Sequence, residues 1–510
     1  MCVFTYLTKT LYMEYMETAE RYPYLTRPAR DFQSGASSLE SCRNMELHLA
    51  QTLPLGAWNG TYATGATPTH EALIQIVQQA NKTIDFTAMY VDLLGTKDRQ
   101  TFSKRQMTNF GADRGIQLFQ ALISAAKRGV RIRLLLGTLG SPINSTEVVQ
   151  LRRFASVQVR QWDPTPWYGG GIMHAKLWVA DSGTQSSSVY VGSANSDWKS
   201  LAQVKELGVV ARRASKLAMD ATKVFEVFWL WSKLKPGSSG ANIACAWSSD
   251  FQVKLSPLPG WDPRISFETR VPSPFASFGL DTNFSIATPL ALDEPGENVF
   301  LSIAPDGAVL PSRTPDEKAL VYTIQDASTS VCLSVMDFLP ASDYPGGHGN
   351  APIRWHTLVD ALLSVAFAKP VRIRLLFSRW AHTDPRQRAA IRRLADGLAS
   401  CKGEDSPQPC LGALEVREYL VPGWNASTSN TSQTNLWPPF TRVNHGKYIV
   451  TDRRLNVATS NFQWGYFHNT AGLSLNTNSR KLVAAAQAVF DADWNSVYAE
   501  RVEAKEFCRH

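Results

Sequence analysis

Apolar residues alternate through Leu177 and Val179, and again through Tyr448 and Val450, with the two-residue period of a β-strand. The same succession of elements surrounds each strand. In the first half, His70 to Ala80 has helical periodicity, Thr83 to Val91 reads as a strand, Gly115 to Arg128 as a helix and Val130 to Leu136 as a strand. Between them, the polar and basic run Lys97 to Arg114 is expected to be a surface loop near the mouth of a site. In the second half, Thr314 to Leu320 starts a helix with carboxylates near its N-terminus and Val331 to Met336 is a strand. Leu358 to Leu363 lies in a helix, and Val371 to Phe377 repeats Val130 to Leu136 almost residue for residue. A period of about 240 to 270 residues is too long for a solenoid and indicates duplication of a whole α/β unit. The predicted fold class is α/β, with two pseudo-symmetric α/β/α sandwich halves and one composite site at their interface. Residues 1–45 form a peripheral segment, 46–255 the first half and 256–510 the second, hinged at Pro236 to Gly240 or in the stretch Pro257 to Pro274.

The chemistry sits on the alternating strands. The first carries His174-Ala175-Lys176, then Asp181, Ser193 and Asn195; the second carries His445-Gly446-Lys447, then Asp452, Ser460 and Asn461. Nine histidines, each needing Lys and Asp at fixed offsets, give two chance copies at odds of roughly one in several thousand. Residues two apart on a strand share a face, so His174 stands beside Lys176, and His445 beside Lys447. An imidazole can attack phosphorus or shuttle a proton, and an ammonium can hold a phosphate oxygen. Ser193, Asn195, Ser460 and Asn461 would add neutral donors for the equatorial oxygens. One such set binds an anion. Two sets face to face supply a nucleophile, a general acid and a cationic cradle, the requirements of phosphodiester displacement. Asp181 and Asp452 complete the motif, near the strand ends, where they organise a turn or pair with a cation. Glu206 is the better candidate to hold a histidine by its second ring nitrogen, with a solvated surface carboxylate as the alternative. Each histidine is paired with a lysine rather than with another ligand, and no Cys/His spacing suggests zinc, so the chemistry is expected to need no metal or cofactor.

Composition adds context. At 510 residues the chain exceeds one ordinary core, and 44% hydrophobic with 10% aromatic residues is globular. A net charge of +8 favours an anionic partner without separating nucleic acid from anionic lipid. No window reaches the roughly 18 unbroken apolar residues of a membrane span, and the N-terminus, interrupted by Lys9, Glu14 and Glu17, does not read as a signal peptide. Six glycosylation sequons, at Asn59, Asn81, Asn144, Asn283, Asn425 and Asn430, nevertheless lean towards the secretory route, so the true targeting segment is expected to be missing or replaced. Of seven cysteines, Cys401 and Cys410 bracket a turn-rich segment suited to a local disulfide, Cys332 is expected to be a buried thiol, and pairing among Cys2, Cys42, Cys245 and Cys508 stays open.

The paired motif resembles the phospholipase D superfamily. Asn195 to Val210, Arg313-Thr314-Pro315-Asp316, Arg442 to Tyr448 and Thr470 to Leu475 are similar to its branch containing mammalian phospholipase D3 and D4, over roughly residues 40 to 508. The resemblance implies the phospholipase D fold and 5′→3′ exonuclease cleavage of single-stranded DNA and RNA in endolysosomes, with lipid transphosphatidylation also attributed to the branch. It further implies a covalent phosphohistidine on one ring, with the other serving as acid and then base; His174 is assigned as nucleophile and His445 as acid/base. Some features depart from the branch. Its members are type II membrane proteins, and no anchor is visible here. Ala211 to Ser215 and Arg379 stand where relatives carry cysteines, so the disulfide framework differs, and Ala458 replaces a glycine before Thr459-Ser460-Asn461.

The expected function is thus an exonuclease on single strands in an acidic endolysosomal or secretory lumen. The alternatives are a phospholipase D or transphosphatidylase acting on phosphatidyl or lysophosphatidylglycerol lipids, and a catalytically silent binding protein, against which both complete motifs speak. Expected partners are single-stranded DNA or RNA, with phospholipid and a second copy of the chain left open. Among fifteen tryptophans, Trp162, Trp167, Trp424 and Trp437 stand among basic residues and could stack unpaired bases.

Overall fold

Branched and aromatic residues at every second position build strands that present a hydrophobic set on each face, as sheets covered by helices on both sides require. The computed structural model describes residues 44–55, 66–139, 143–165, 170–232, 284–305, 313–341, 354–399, 410–423 and 437–502, all within one unit of the chain, Glu40–His510. In chain order the first half supplies β1 (Glu46–Thr52), β2 (Thr67–Pro68), β3 (Thr83–Ala88), β4 (Val91–Asp92), β5 (Arg131–Leu136), β6 (Val157–Gln161), β7 (Leu177–Ala180), β8 (Ser188–Gly192), β9 (Ser196–Asp197) and β10 (Glu206–Arg212). The second supplies β11 (Leu290–Ala291), β12 (Asn298–Ala304), β13 (Thr314–Pro315), β14 (Ser330–Val335), β15 (Phe338–Leu339), β16 (Arg372–Ser378), β17 (Ala413–Tyr419), β18 (Tyr448–Thr451), β19 (Leu455–Ala458), β20 (Phe462–Gln463), β21 (Gly472–Thr477) and β22 (Ala499–Arg501).

The two sheets repeat one topology. The first runs β2-β1-β10-β8-β7-β3-β5-β6; the second runs β12-β21-β19-β18-β14-β16-β17, extended by β11 and β22 at its edges, with β13 paired to β12. Register carries the repeat to single residues. Leu177 pairs Val191 and Gly208 pairs Gly192 in the first sheet; Tyr448 pairs Val457 and Ser474 pairs Ala458 in the second. Glu206, opening β10, therefore corresponds to Gly472, opening β21.

Alternation fixes the layers. Trp178 and Ala180 of β7 pack with Phe86 and Leu134 against helices Thr69–Gln79 and Asp113–Lys127, while Leu177 and Val179 face helix Ser215–Trp231. That second cluster continues through Val457, Leu473, Leu475, Leu482 and Phe490, so the halves share one core. In each half an arginine ties a helix to its sheet. Arg133 bonds Asp85 at 2.7 Å and Glu226 at 2.6 Å with its guanidinium over Phe225; Arg374 meets Asp491 at 2.7 Å and lies over Phe490. The α/β duplication expected from the sequence is thus present down to its supporting contacts.

Some expectations change. Lys97 to Arg114 is not a loop: it forms helices Asp98–Thr101 and Lys104–Asn109 and the first residues of Asp113–Lys127. Ser103 and Gln106 close a capping box, and Phe102, Met107 and Phe110 bury themselves around Trp198. Trp162 is a core residue stacked on Phe228 at 5.6 Å, and the half-buried Trp437 is covered by the Arg442 guanidinium, so neither is an open stacking surface. Trp167, Trp424, both hinge candidates and the sequons at Asn59, Asn283, Asn425 and Asn430 lie outside the described residues. Cys332 is a free, buried thiol; Cys410 is disulfide-bonded, and Cys401 lies outside the described residues. Among the described residues no helix is long and apolar enough to cross a membrane.

Candidate active site

Both motifs open on an extended residue that pairs with the other half. Met173 bridges Ala471, and the His174 amide donates to the Ala471 carbonyl at 2.9 Å. Lys205 bridges Asn444, and the His445 amide donates to the Lys205 carbonyl at 2.8 Å. Ala471 and Lys205 are equivalent positions, each just ahead of β21 or β10, so the seam is pseudo-twofold and each histidine is seated by the opposite half. Both rings are nearly buried, with 4% of His174 and 9% of His445 exposed.

The lysines follow the same symmetry. Lys176 Nζ donates to the His174 carbonyl and Lys447 Nζ to the His445 carbonyl, each at 2.7 Å, which fixes the side chain on the histidine's face of the strand. Burial draws Lys447 down to about 8, against the pull of Glu206 and Asp337, and burial together with Lys447 lowers Lys176 well below the ordinary lysine range. Burial, then Lys176, Lys447 and His445, push His174 well below the usual histidine value. Burial, then Lys447 and Lys176, push His445 well below the usual histidine value too; each ring faces a backbone carbonyl across the seam, Thr459 for His174 and Ser193 for His445, which works against that shift. A cluster of two lysines and two imidazoles is electropositive, suited to a monoanionic diester.

The symmetry breaks at the carboxylate. Glu206 lies 2.9 Å from His445 Nδ1 and accepts from the Ser193 hydroxyl at 2.5 Å. Its counterpart Gly472 carries no side chain, and a Cβ there would sit 2.2 Å from the Ser460 hydroxyl, so Ser460 fills the vacated space. His174 Nδ1 is buried without a hydrogen-bond partner, as is Ser460 Oγ. Burial pushes Glu206 up to about 7, against the opposing charges of Lys447 and Lys176.

Several expected roles shift. Ser193 is not a free phosphate donor, because its hydroxyl is committed to Glu206 and to the Leu207 carbonyl. Its equivalent is Thr459, since Ser193 bonds the Leu207 backbone and Thr459 the Leu473 backbone alike. Ser460 corresponds to Ala194. Asp181 organises a turn: its carboxylate accepts the amides of Asn81, Lys82 and Thr83. Asp452 likewise accepts the amides of Ser328, Thr329 and Ser330, so both aspartates brace the turn that opens a neighbouring strand. Asn195 Nδ2 meets the Tyr90 hydroxyl at 3.4 Å, and Asn461 Nδ2 meets Asp337 at 2.8 Å and the Tyr466 hydroxyl at 3.3 Å; both amide oxygens are buried and unbonded. Tyr90, Asp197, Asp337 and Tyr466 were missed in the sequence. Tyr90 donates to Asp197 at 2.6 Å, and Tyr466 packs edge-on to His174 at 5.0 Å. Each lies just past a strand or a motif, and no periodicity marks it.

Residues 73–229 match the cardiolipin synthase, PLD-like domain family and residues 264–405 the PLD3/4, PLD-like domain family. The chain is 30% identical to phospholipase D Y of Dictyostelium discoideum over 92% of its own length and 94% of that protein, and 31% identical to phospholipase D Z of the same organism over 91% and 93%. Its identity to the 5′-3′ exonuclease PLD3 of Bos taurus is 30%, over 90% of this chain and 81% of that protein. Two histidine-lysine pairs joined across a duplicated seam and similarity along nearly the whole chain lead to one conclusion: the chain belongs to the phospholipase D superfamily, on the branch that includes PLD3, and is a phosphodiesterase of that superfamily.

Proposed function

We propose that the chain is a 5′→3′ exonuclease on single-stranded DNA or RNA, working in an acidic lumen with His174 as nucleophile and His445 as acid and then base. The carrying observation is the asymmetry of the carboxylate: Glu206 backs His445, and His174 has no such partner. A nitrogen of the neutral His174 ring attacks phosphorus, the bond to the leaving oxygen breaks, and the proton held by His445 passes to that oxygen. Water, giving a proton back to His445, then attacks phosphorus and breaks the phosphorus-nitrogen bond, releasing the phosphate monoester and free His174. Lys176 and Lys447 hold the equatorial oxygens throughout.

The names of relatives support both substrate readings: exonuclease for PLD3 and phospholipase D for the Dictyostelium proteins. The exonuclease reading is tested with 5′-hydroxyl, end-labelled single-stranded oligonucleotide at about pH 5 with chelator present, beside phosphatidylglycerol vesicles. A ladder shortening from the 5′ end is expected; an intact oligonucleotide with cleaved lipid transfers the assignment to phospholipase. A lumenal location is supported by the exposed sequon residues Asn81 and Asn144 and by the disulfide-bonded Cys410.

Acidity enters through the hydrogen-bonded pair. Glu206 and His445 share one hydrogen bond and titrate as a pair: burial raises Glu206 to about 7, while burial with Lys447 and Lys176 lowers His445 well below the usual histidine value. The proton held in that hydrogen bond arms the leaving-group acid; His174, lowered by burial and the two lysines and without a carboxylate behind it, stays neutral. Activity is therefore expected to be high in acid and to fall above about pH 7 with the loss of one proton. Glu206→Gln removes the charge that favours the His445 imidazolium, so the falling limb should move to lower pH and kcat drop roughly 10²-fold. An unmoved limb in Glu206→Gln excludes the pair as the acid.

A further inference from the structure

We infer that Phe440, stacked on His382 above Trp380, is a platform for an unpaired nucleobase of the substrate, an inference that rests on the nuclease reading. Phe440 is 61% exposed. One of its ring neighbours is His382, also exposed, whose plane lies within 18° at 4.8 Å between centroids; Trp380 meets the same imidazole edge-on at 4.8 Å. Parallel rings at such spacing present a flat aromatic surface, the geometry that receives a base of any sequence.

The platform is anchored to the site. Trp380 is itself nearly buried and packs with Val204, Val443 and Met336. These three closely precede Lys205 and Glu206, Asn444 and His445, and Asp337 respectively. Trp380 also follows the end of β16, where Ser378 accepts the Asn444 amide at 3.2 Å. Phe440 is five residues before His445, so their Cα atoms are at most about 18 Å apart.

The backbone makes a second, independent point. Phe440 has φ +60° and Arg442 φ +57°, the left-handed region that side chains other than glycine seldom adopt. The fold holds this turn from both sides. The buried Arg442 guanidinium lies 3.3 Å over the Trp437 ring and donates to the carbonyls of Pro422 and Leu55, and the Thr441 hydroxyl donates to Pro438 at 2.6 Å. Glycine would satisfy φ at 440 with less strain; the phenyl ring meets the buried cluster through Trp380, 6.4 Å away between centroids. A left-handed backbone beneath an exposed ring suits a side chain placed for contact with substrate.

The test compares KM, at acid pH, for a single-stranded oligonucleotide and for the same strand with its 5′-terminal bases removed. Wild type is expected to prefer the base-bearing strand by roughly tenfold, the scale of one stacked base. Phe440→Gly is expected to cut that preference to within about twofold of unity without lowering the thermal unfolding midpoint, and Phe440→Trp to restore it. A preference that persists in Phe440→Gly overturns the platform. So does a preference lost together with the unfolding midpoint and not regained in Phe440→Trp. Turnover of bis(p-nitrophenyl) phosphate by wild type separates the readings. If that diester is cleaved and neither oligonucleotide is, the nuclease reading and the platform both fall while the histidine chemistry stands. If both oligonucleotides are cleaved with equal KM, the platform alone falls.

Discussion

His445→Ala, mixed with bis(p-nitrophenyl) phosphate, is expected to release one equivalent of p-nitrophenol and then stop. The leaving phenolate needs no proton, so attack by His174 can proceed without the acid at 445. Hydrolysis of the adduct requires a base for water, which this variant lacks, so a phosphorylated His174 accumulates and can be seen by mass spectrometry under alkaline conditions. His174→Ala forms no adduct and gives no burst. Steady turnover is expected to fall by roughly 10⁴-fold or more in both variants, since removing one member of a unit that works together disables the whole. A burst in His174→Ala instead would exchange the two roles. The carboxylate of Glu206 behind His445, and its absence behind His174, favour the first outcome.

The second large effect is on stability. Arg313 from the second half grips Asp220 of helix Ser215–Trp231 in the first, at 2.6 and 3.0 Å, with the two side chains 0% and 1% exposed. Arg313→Ala leaves a buried carboxylate without its guanidinium, a change that costs about 3–5 kcal/mol. Asp220→Ala is expected to cost a similar amount for the converse reason. The double change Arg313→Met with Asp220→Leu removes both charges and keeps volume, so it is expected to recover most of the loss. Urea unfolding of the three variants decides it: a loss under about 1 kcal/mol for Arg313→Ala would mean that the pair does not hold the halves together.

Local periodicity made much of this legible. The histidine-lysine strands, the helix before β3 and the twin strands β5 and β16 all follow patterns of two or 3.6 residues, and these patterns survive folding because each element buries one face. Cross-half contacts left no such mark. That Glu206 serves His445 rather than His174 depends on Lys205 pairing with Asn444, far away in the sequence. The similar strings around Ser193 and Ser460 invited the wrong alignment, because a one-residue offset is invisible until strand register assigns Ser193 to Thr459. The helices within Lys97 to Arg114 were hidden by charge: their apolar residues Phe102, Met107 and Phe110 are too few to dominate the pattern.

The division of labour at the seam bears on how such a chain can be assembled. Two copies of the first half, joined as these halves are, would give both rings a glutamate; two copies of the second would give neither ring one. Only the mixed pairing yields one imidazole backed by a carboxylate and one without, so a covalent tandem fixes a chemical polarity that neither self-paired arrangement would possess.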